Sequence, residues 1–465
     1  MGAIFLHQLH DHLKSLRFQI SLLVLLMFFS ASGVIYTWKI ERLVEETSRI
    51  EAGNEQRYEG LESLSQATNQ WYRIITQALG TEFIAEGGFN WFEDTAWVGV
   101  ATGNGSPGTG NMRTTNNWMQ RFEVVDWTVV TRIVLSFLCI VLAYDAVSGE
   151  LESGTLRLAL ANPLSRGRFL VGKFLGHLSI LLIATLLGSL LSLLILSLGG
   201  AFDLNERILR GYGLFLLGTT LYLSFFLFLV MGISALSRSS ASALVLLVLM
   251  WAVLIVVIPQ TSYMIGVKFG ESPGEWWEEQ WEYMSEVREA LEREGVGLRG
   301  RELGKTDGYA VEQRYARRIR EAEKAQDRIA QRAFYQEVRQ YKLAKMVNLL
   351  SPGFAFQYTV EAFLGTGVMR YENFVRQAWQ YRDIVRDFLR TRDAADPDSP
   401  HLVFFPDYLS ERELDHRNIP RFKETPLSLA ESVSAGMLPI IVLVLEAAGS
   451  FFFALWAFNR MDLTG

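Results

Sequence analysis

Tyr144-Asp145-Ala146-Val147-Ser148-Gly149-Glu150-Leu151-Glu152-Ser153-Gly154-Thr155-Leu156-Arg157 leads, through Asn162-Pro163-Leu164-Ser165-Arg166-Gly167-Arg168, to Gly172-Lys173. It is a polar island between two long apolar runs, 127–144 before it and 169–198 after it. A membrane-crossing helix needs about 20 mostly apolar residues, because the hydrocarbon core is about 30 Å thick and each residue rises about 1.5 Å. The island therefore reads as a short helix between two crossings. Glu150 and Glu152 stand in its early turns, where the helix dipole favours acids. Pro163 ends it, and Arg166, Arg168 and Lys173 are placed to reach the lipid headgroups.

Four further apolar runs extend the pattern outward, at 18–38, 212–236, 241–258 and 434–458. Arg132 sits in the opening turn of the second crossing, and Pro259 is expected to stop the fifth. The first run has a rival reading as a signal peptide, since Lys14 and Arg17 precede it and Ser30-Ala31-Ser32 resembles a cleavage site. Its apolar character continues through Val34, Ile35, Tyr36 and Trp38, so a retained anchor is expected. Lys14, Arg17, Arg157, Arg166, Arg168, Lys173, Arg238 and Arg460 fall on one side of the six runs. The short connection 199–211 on the other side holds Arg207 and Arg210. That bias places both termini in the cytoplasm.

Composition agrees. Of 465 residues, 50% are hydrophobic and only 20% charged, fewer charges than soluble domains carry, and the mean hydropathy is +0.16. A net charge of −6 and a pI near 5.7 leave no basic face for nucleic acid. The single cysteine, Cys139, excludes an intrachain disulfide and a cysteine-rich zinc site.

The expected organisation is all-α: a cytoplasmic helix and span at 1–38, an extracytoplasmic domain at 39–126, four spans at 127–258 with the cytoplasmic loop 145–168, a second extracytoplasmic domain at 259–433, and the last span and tail at 434–465. Both outer domains read as mainly helical. Ile40, Leu43, Val44 and Thr47 continue the first span as a helix, and a second helix is expected over 58–79. In the second domain, 275–294 and 309–350 predict a helical hairpin. Its long arm would measure about 63 Å, with polar Gln326 interrupting the seam. Phe354, Phe356, Tyr358, Val360, Phe363 and Leu364 form an apolar stretch too short to span, which fits the outer membrane surface. A further helix is expected over 371–392. Tryptophans 71, 91, 97, 118 and 127 fit a small core and interfacial anchoring, with a ligand-binding aromatic surface as the alternative.

The polar island also carries a resemblance. An acidic pair, Gly154-Thr155-Leu156, Pro163-x-Ser165-Arg166 and Gly172-Lys173 appear in the order seen between the second and third spans of ABC-2 type permeases. The large insert before the last span, Ser351-Pro352 and the helix around Trp379 resemble the subgroup associated with multicopper-enzyme maturation and gliding motility. The resemblance implies a non-catalytic transmembrane subunit whose loop is a coupling helix docking on a separate ATPase. Glu150, Leu151, Glu152, Gly154, Thr155, Leu156 and Arg157 are then the contact candidates, and Pro163, Arg166 and Lys173 the membrane-boundary motif. ATP and magnesium would be held by that partner and no cofactor by this chain. A second permease, the bilayer and an extracytoplasmic protein are the other implied partners, the bacterial inner membrane the implied location, and a lipid, peptide or protein the implied cargo. The competing readings are an ATP-driven mechanical transmitter that moves nothing across the membrane, and an anchored scaffold.

Several motifs are decoys. Gly167 to Phe174 has the spacing of a phosphate-binding loop, but Phe174 replaces the magnesium-binding hydroxyl and no strand precedes it. His7, His10 and His12 lack the further ligands of a metal site, and no hydrolase motif is visible. Glu446 is the one acid deep in a span. Such acids usually face the bundle interior and serve function, which makes it a candidate for gating or the dimer interface, with His177 and Arg132 as conceivable partners.

Overall fold

The structure is a computed structural model describing residues 8, 10, 13–87, 95–101, 125–161, 165–201, 205–269, 276–294, 308–399, 401 and 409–461. Among these, six helices are long and apolar enough to cross a membrane: Leu16–Glu59, Trp127–Glu152, Arg166–Leu198, Glu206–Leu236, Ser240–Gly266 and Leu429–Arg460, here spans 1 to 6. The chain is a multi-pass, all-α membrane protein. Its only sheet among the described residues has two strands.

Local chemistry sets where the spans begin. Each has a polar N-cap whose side chain accepts a first-turn N–H: Ser15, Asp126, Ser165, Asn205, Ser239 and Ser428. Ser428 and Glu431 complete a reciprocal capping box. Inside the bundle, small residues let backbones approach. A Cβ on Gly188 of span 3 would lie 2.6 Å from the Phe29 ring of span 1, and one on Gly33 would lie 3.1 Å from the Ser192 carbonyl. Trp127 is fully buried among Phe29, Phe83, Tyr212 and Phe215, and its indole N–H donates to Ser192 Oγ at 3.0 Å.

Two spans contain a π-helical turn, at Val130–Leu135 in span 2 and Val253–Val257 in span 5. Pro259 does not stop span 5. The helix continues as Ile258–Phe269, because the widened turn just before Pro259 absorbs its missing N–H and ring. In span 2, the Arg132 carbonyl accepts from Tyr222 Oη at 2.7 Å and from Ser136 Oγ at 2.6 Å.

The face opposite the loop 144–161 carries the large insertions. Span 1 is one helix of 44 residues, about 66 Å long, so it rises well beyond a bilayer. The helix expected over 58–79 does not form. Instead, Leu64–Asn69 is followed by strand β1 (Trp71–Ile75), which pairs antiparallel with β2 (Thr95–Gly99), Trp71 opposite Gly99. Alternate burial along Trp71-Tyr72-Arg73-Ile74 explains the change, since aromatic and β-branched residues suit a half-buried strand.

Helices Trp276–Arg293 and Gly308–Asn348 pack together as the expected hairpin. Gln326 does not break the seam, because its amide and that of Gln280 donate to each other's backbone carbonyls. Helix Val368–Ala394 lies over the sheet and shares a core of Tyr58, Tyr72, Phe374, Tyr381 and Val385 with it. Arg370, buried, ion-pairs with Glu424 and Glu82 and ties this helix to both insertions.

The apolar stretch at 354–364 does not lie on a membrane surface. Pro352–Leu364 is a helix inserted into the bundle, where Phe356 stacks on Tyr222 of span 4 and packs against Gly218. Its sides touch spans 4 and 6, and its first turn touches the π turns of spans 2 and 5.

Candidate coupling surface

The end of span 2 and its connection to span 3 fold as two short helices, Ser148–Glu152 and Thr155–Ala161. They meet at Gly154, whose φ of +74° is a left-handed conformation that other residues adopt only under strain. The hydroxyls of Ser153 and Thr155 lie 2.9 Å apart, and both donate to the Glu150 carbonyl across the turn.

Every span is attached to this small structure. Arg17 at the foot of span 1 forms an ion pair with Asp145 at 2.7 Å. Span 2 leads directly into it. Lys173 of span 3 pairs with Glu150 and donates to the Ala146 carbonyl at 2.8 Å. Ser234 of span 4 accepts the N–H groups of Val147 and Ser148 at 3.2 and 3.0 Å and donates to the Tyr144 carbonyl at 2.8 Å. Glu152 accepts from Ser240 N and Oγ at 3.0 and 2.8 Å, which caps span 5. Leu156 and Val147 pack with Ala457, Phe458 and Met461 at the end of span 6.

The expected contact residues therefore divide. Leu156 is fully buried, Leu151 is half-buried against the same cluster, and Glu150 is turned inward to Lys173. Glu152, Thr155 and Arg157 are exposed. Leu158, outside the expected contact set, is 73% exposed beside them. A signal was present: positions two apart on a helix point to opposite sides, so a buried Leu156 leaves Leu158 outward.

The boundary motif also differs from expectation. Lys173 is 4% exposed and cannot reach headgroups. A buried ammonium needs a compensating partner, and Glu150 with the Ala146 carbonyl supplies it. Arg166 Nη1 donates to the carbonyls of Phe458 and Asn459 at 2.9 and 2.8 Å and so caps the C-terminus of span 6. Pro163, His7 and His12 lie outside the described residues. Gly167 to Phe174 occupies the first turns of span 3 as regular helix, with no phosphate-cradling loop.

Glu446 is half-buried in span 6, and its Oε2 is sealed without a hydrogen-bond partner among the described residues. Neither conceivable partner bonds it: His177 Nδ1 holds the Lys173 carbonyl at 2.9 Å, and Arg132 stacks its guanidinium 4.1 Å from the Phe354 ring centroid. Between spans 1, 2 and 5 runs an open groove of about 610 Å³, lined by Val24, Phe28, Ile133, Phe137 and Trp251, with Arg17 at its loop end.

On the opposite face Asp126 is fully buried, and its carboxylate accepts from Thr128 Oγ1, Val129 N and Glu86 N at 2.6, 2.8 and 2.9 Å. Burial nonetheless pushes its pKa up to about 6.

A bundle of six long apolar helices, all attached to one partly exposed connection, defines a multi-pass membrane protein. Residues 3–463 match the family model described as "ABC-2 family transporter protein", and the chain belongs to that family. It is similar to the probable ABC transporter permease protein NosY of Pseudomonas aeruginosa, 49% identical over 65 residues, which is 14% of this chain and 24% of that protein. It is also similar to the protein of the same description from Stutzerimonas stutzeri, 38% identical over 93 residues, 20% of this chain and 30% of that protein. The chain thus matches less than a third of the length of either relative.

Proposed function

We propose that this chain is the permease subunit of an ABC transporter, and that a separate ATPase subunit, holding ATP and magnesium, docks on the loop 144–158. The observation that carries this reading is the attachment of all six spans to that loop. A push on the exposed Thr155, Arg157 and Leu158 would be delivered through Asp145, Glu150, Glu152 and Leu156 to every helix. The loop face and both termini would be cytoplasmic, in a bacterial inner membrane. The domains at 39–126 and 259–433 would be extracytoplasmic, and a second permease would complete the complex.

The groove between spans 1, 2 and 5 supports an amphipathic cargo such as a lipid. Its walls are almost wholly apolar, with Arg17, paired to Asp145, at the loop end. A second reading, mechanical transmission without transport, is favoured by span 1. This single rod has Arg17 on the coupling loop and, at its far end, Glu55 ion-paired with Arg421 of the outer insertion.

The test is copurification of the tagged chain with its ATPase, followed by reconstitution in sealed vesicles. ATP-dependent movement of a fluorescent lipid supports transport. Stimulated ATPase with no lipid movement, but with altered protease sensitivity of the outer domains, supports transmission. Recovery of the intact chain without any ATPase removes both.

A further inference from the structure

The groove between spans 1, 2 and 5 has a length and a polarity as well as a volume. Along span 1 its lining runs from Arg17 to Phe28, a rise of about 16 Å. That is close to the depth of one leaflet, half of a hydrocarbon core about 30 Å thick. Its far end is built by Ile133 and Val134 of the π turn in span 2 and by Trp251 of span 5. The Trp251 indole N–H donates to Ser136 Oγ at 2.8 Å, which fixes the ring there. Between the two ends the lining is apolar except for Ser21. The volume of about 610 Å³ is in the range of small-molecule sites.

The loop end closes on a pair of opposite charges. Arg17 Nη1 lies 2.7 Å from Asp145 Oδ2, and both side chains reach solvent. The guanidinium carbon is 5.2 Å from the Tyr144 ring centroid. The bond to Asp145 uses one of the five guanidinium N–H donors and one carboxylate oxygen. An exposed ion pair of this kind is weak, so its members can take other partners. A pair without net charge is matched by a headgroup without net charge, an anion for Arg17 and a cation for Asp145. An anionic headgroup would draw Arg17 away and leave Asp145 uncompensated.

We propose that the groove binds one phospholipid of the loop-side leaflet with a phosphate–ammonium headgroup, of the phosphatidylethanolamine type. An acyl chain lies against Val24, Phe28 and Phe137, the phosphate on Arg17 and the ammonium on Asp145. This rests on the reading of the groove as a lipid site and not on the docking of an ATPase. The forked donors of arginine suit two phosphate oxygens. The ammonium N–H groups give Asp145 charge-assisted hydrogen bonds that a trimethylated choline cannot. Asp145 begins the connection that carries Glu150 and Leu156, so an occupied groove replaces the direct clasp of span 1 on that connection by one through the lipid.

The experiment places the full chain in phosphatidylcholine nanodiscs with a phosphatidylethanolamine probe carrying a diazirine on one acyl chain. Labelled residues are mapped by mass spectrometry, with unlabelled phosphatidylethanolamine, phosphatidylglycerol or phosphatidylcholine as competitor. Saturable labelling of Val24, Phe28 or Phe137 is expected, and phosphatidylethanolamine should compete roughly fivefold better than the other two. Arg17→Gln should weaken labelling roughly three- to tenfold. Asp145→Asn should keep the labelling but abolish the preference over phosphatidylglycerol, which a merely structural role would not do. Val24→Trp fills the groove without touching the ion pair and should remove most of the labelling. No labelling in the groove of the folded parent overturns both this proposal and the lipid reading. Groove labelling without headgroup preference, or with a preference that Arg17→Gln and Asp145→Asn leave unchanged, overturns the proposal and leaves the lipid reading standing.

Discussion

Leu158→Ala tests the proposed docking of an ATPase subunit with little risk to the fold. Leu158 is 73% exposed, so its removal takes little from the permease itself. If the ATPase subunit covers it, three methylene-sized groups are buried on docking, at about 0.8 kcal/mol each. Reduced by the part already covered, the loss is about 1.5–2 kcal/mol, or roughly ten- to thirtyfold in Kd. The assay is titration of the ATPase subunit onto the chain in nanodiscs, with binding and stimulated hydrolysis read in parallel. The variant should hydrolyse normally at saturating ATPase, because the inward contacts of Glu150 and Leu156 are intact. An affinity within threefold of the parent would refute the placement of the docking surface at Leu158.

Glu150→Gln or Lys173→Met alone should destabilise the loop face by about 3–5 kcal/mol, since each leaves an unpaired buried or half-buried charge, while the double variant recovers part of the loss; thermal unfolding of the four proteins measures the coupling. Gly188→Ala should cost about 1–3 kcal/mol, because its Cβ would meet the buried Phe29 ring at 2.6 Å, and the unfolding midpoint reads it. Asp126 has its pKa raised from 3.8 to about 6, so its ionisation opposes the fold. The stability it allows is full below pH about 4 and is lost as pH rises through about 6, a difference of about 3 kcal/mol. Between pH 4 and 6 the unfolding midpoint of the parent should therefore lose ground relative to that of Asp126→Asn as pH rises, whatever the other carboxylates contribute to both.

Much of this architecture follows from chain-local chemistry. Six apolar runs, each with its own Ser, Asp or Asn cap, specify the spans without reference to neighbours. The hairpin arms 275–294 and 309–350 were legible for the same reason, since helical spacing is a local property. The loop motif was also legible as a surface feature, but not its division into inward and outward residues. Glu150 and Glu152 look equivalent in sequence; Lys173 and Ser240, brought in by spans 3 and 5, give them different tasks.

The remaining differences have one cause. Residues 71–75 became a strand because Thr95–Gly99 offered an edge, and hydrogen bonding to a distant segment leaves no local trace. Pro259 was tolerated because a π turn precedes it. Burial in a bundle and contact with a membrane surface demand the same apolar residues, so 354–364 could not be assigned from composition. Only the packed spans show that Gly218, Gly353 and the two π turns leave room for a helix there. Apolar run length is a local property and marks the segments that leave water; which polar groups within them find partners depends on how separate helices pack, as Lys173 meets Glu150 while Glu446 Oε2 meets no donor among the described residues.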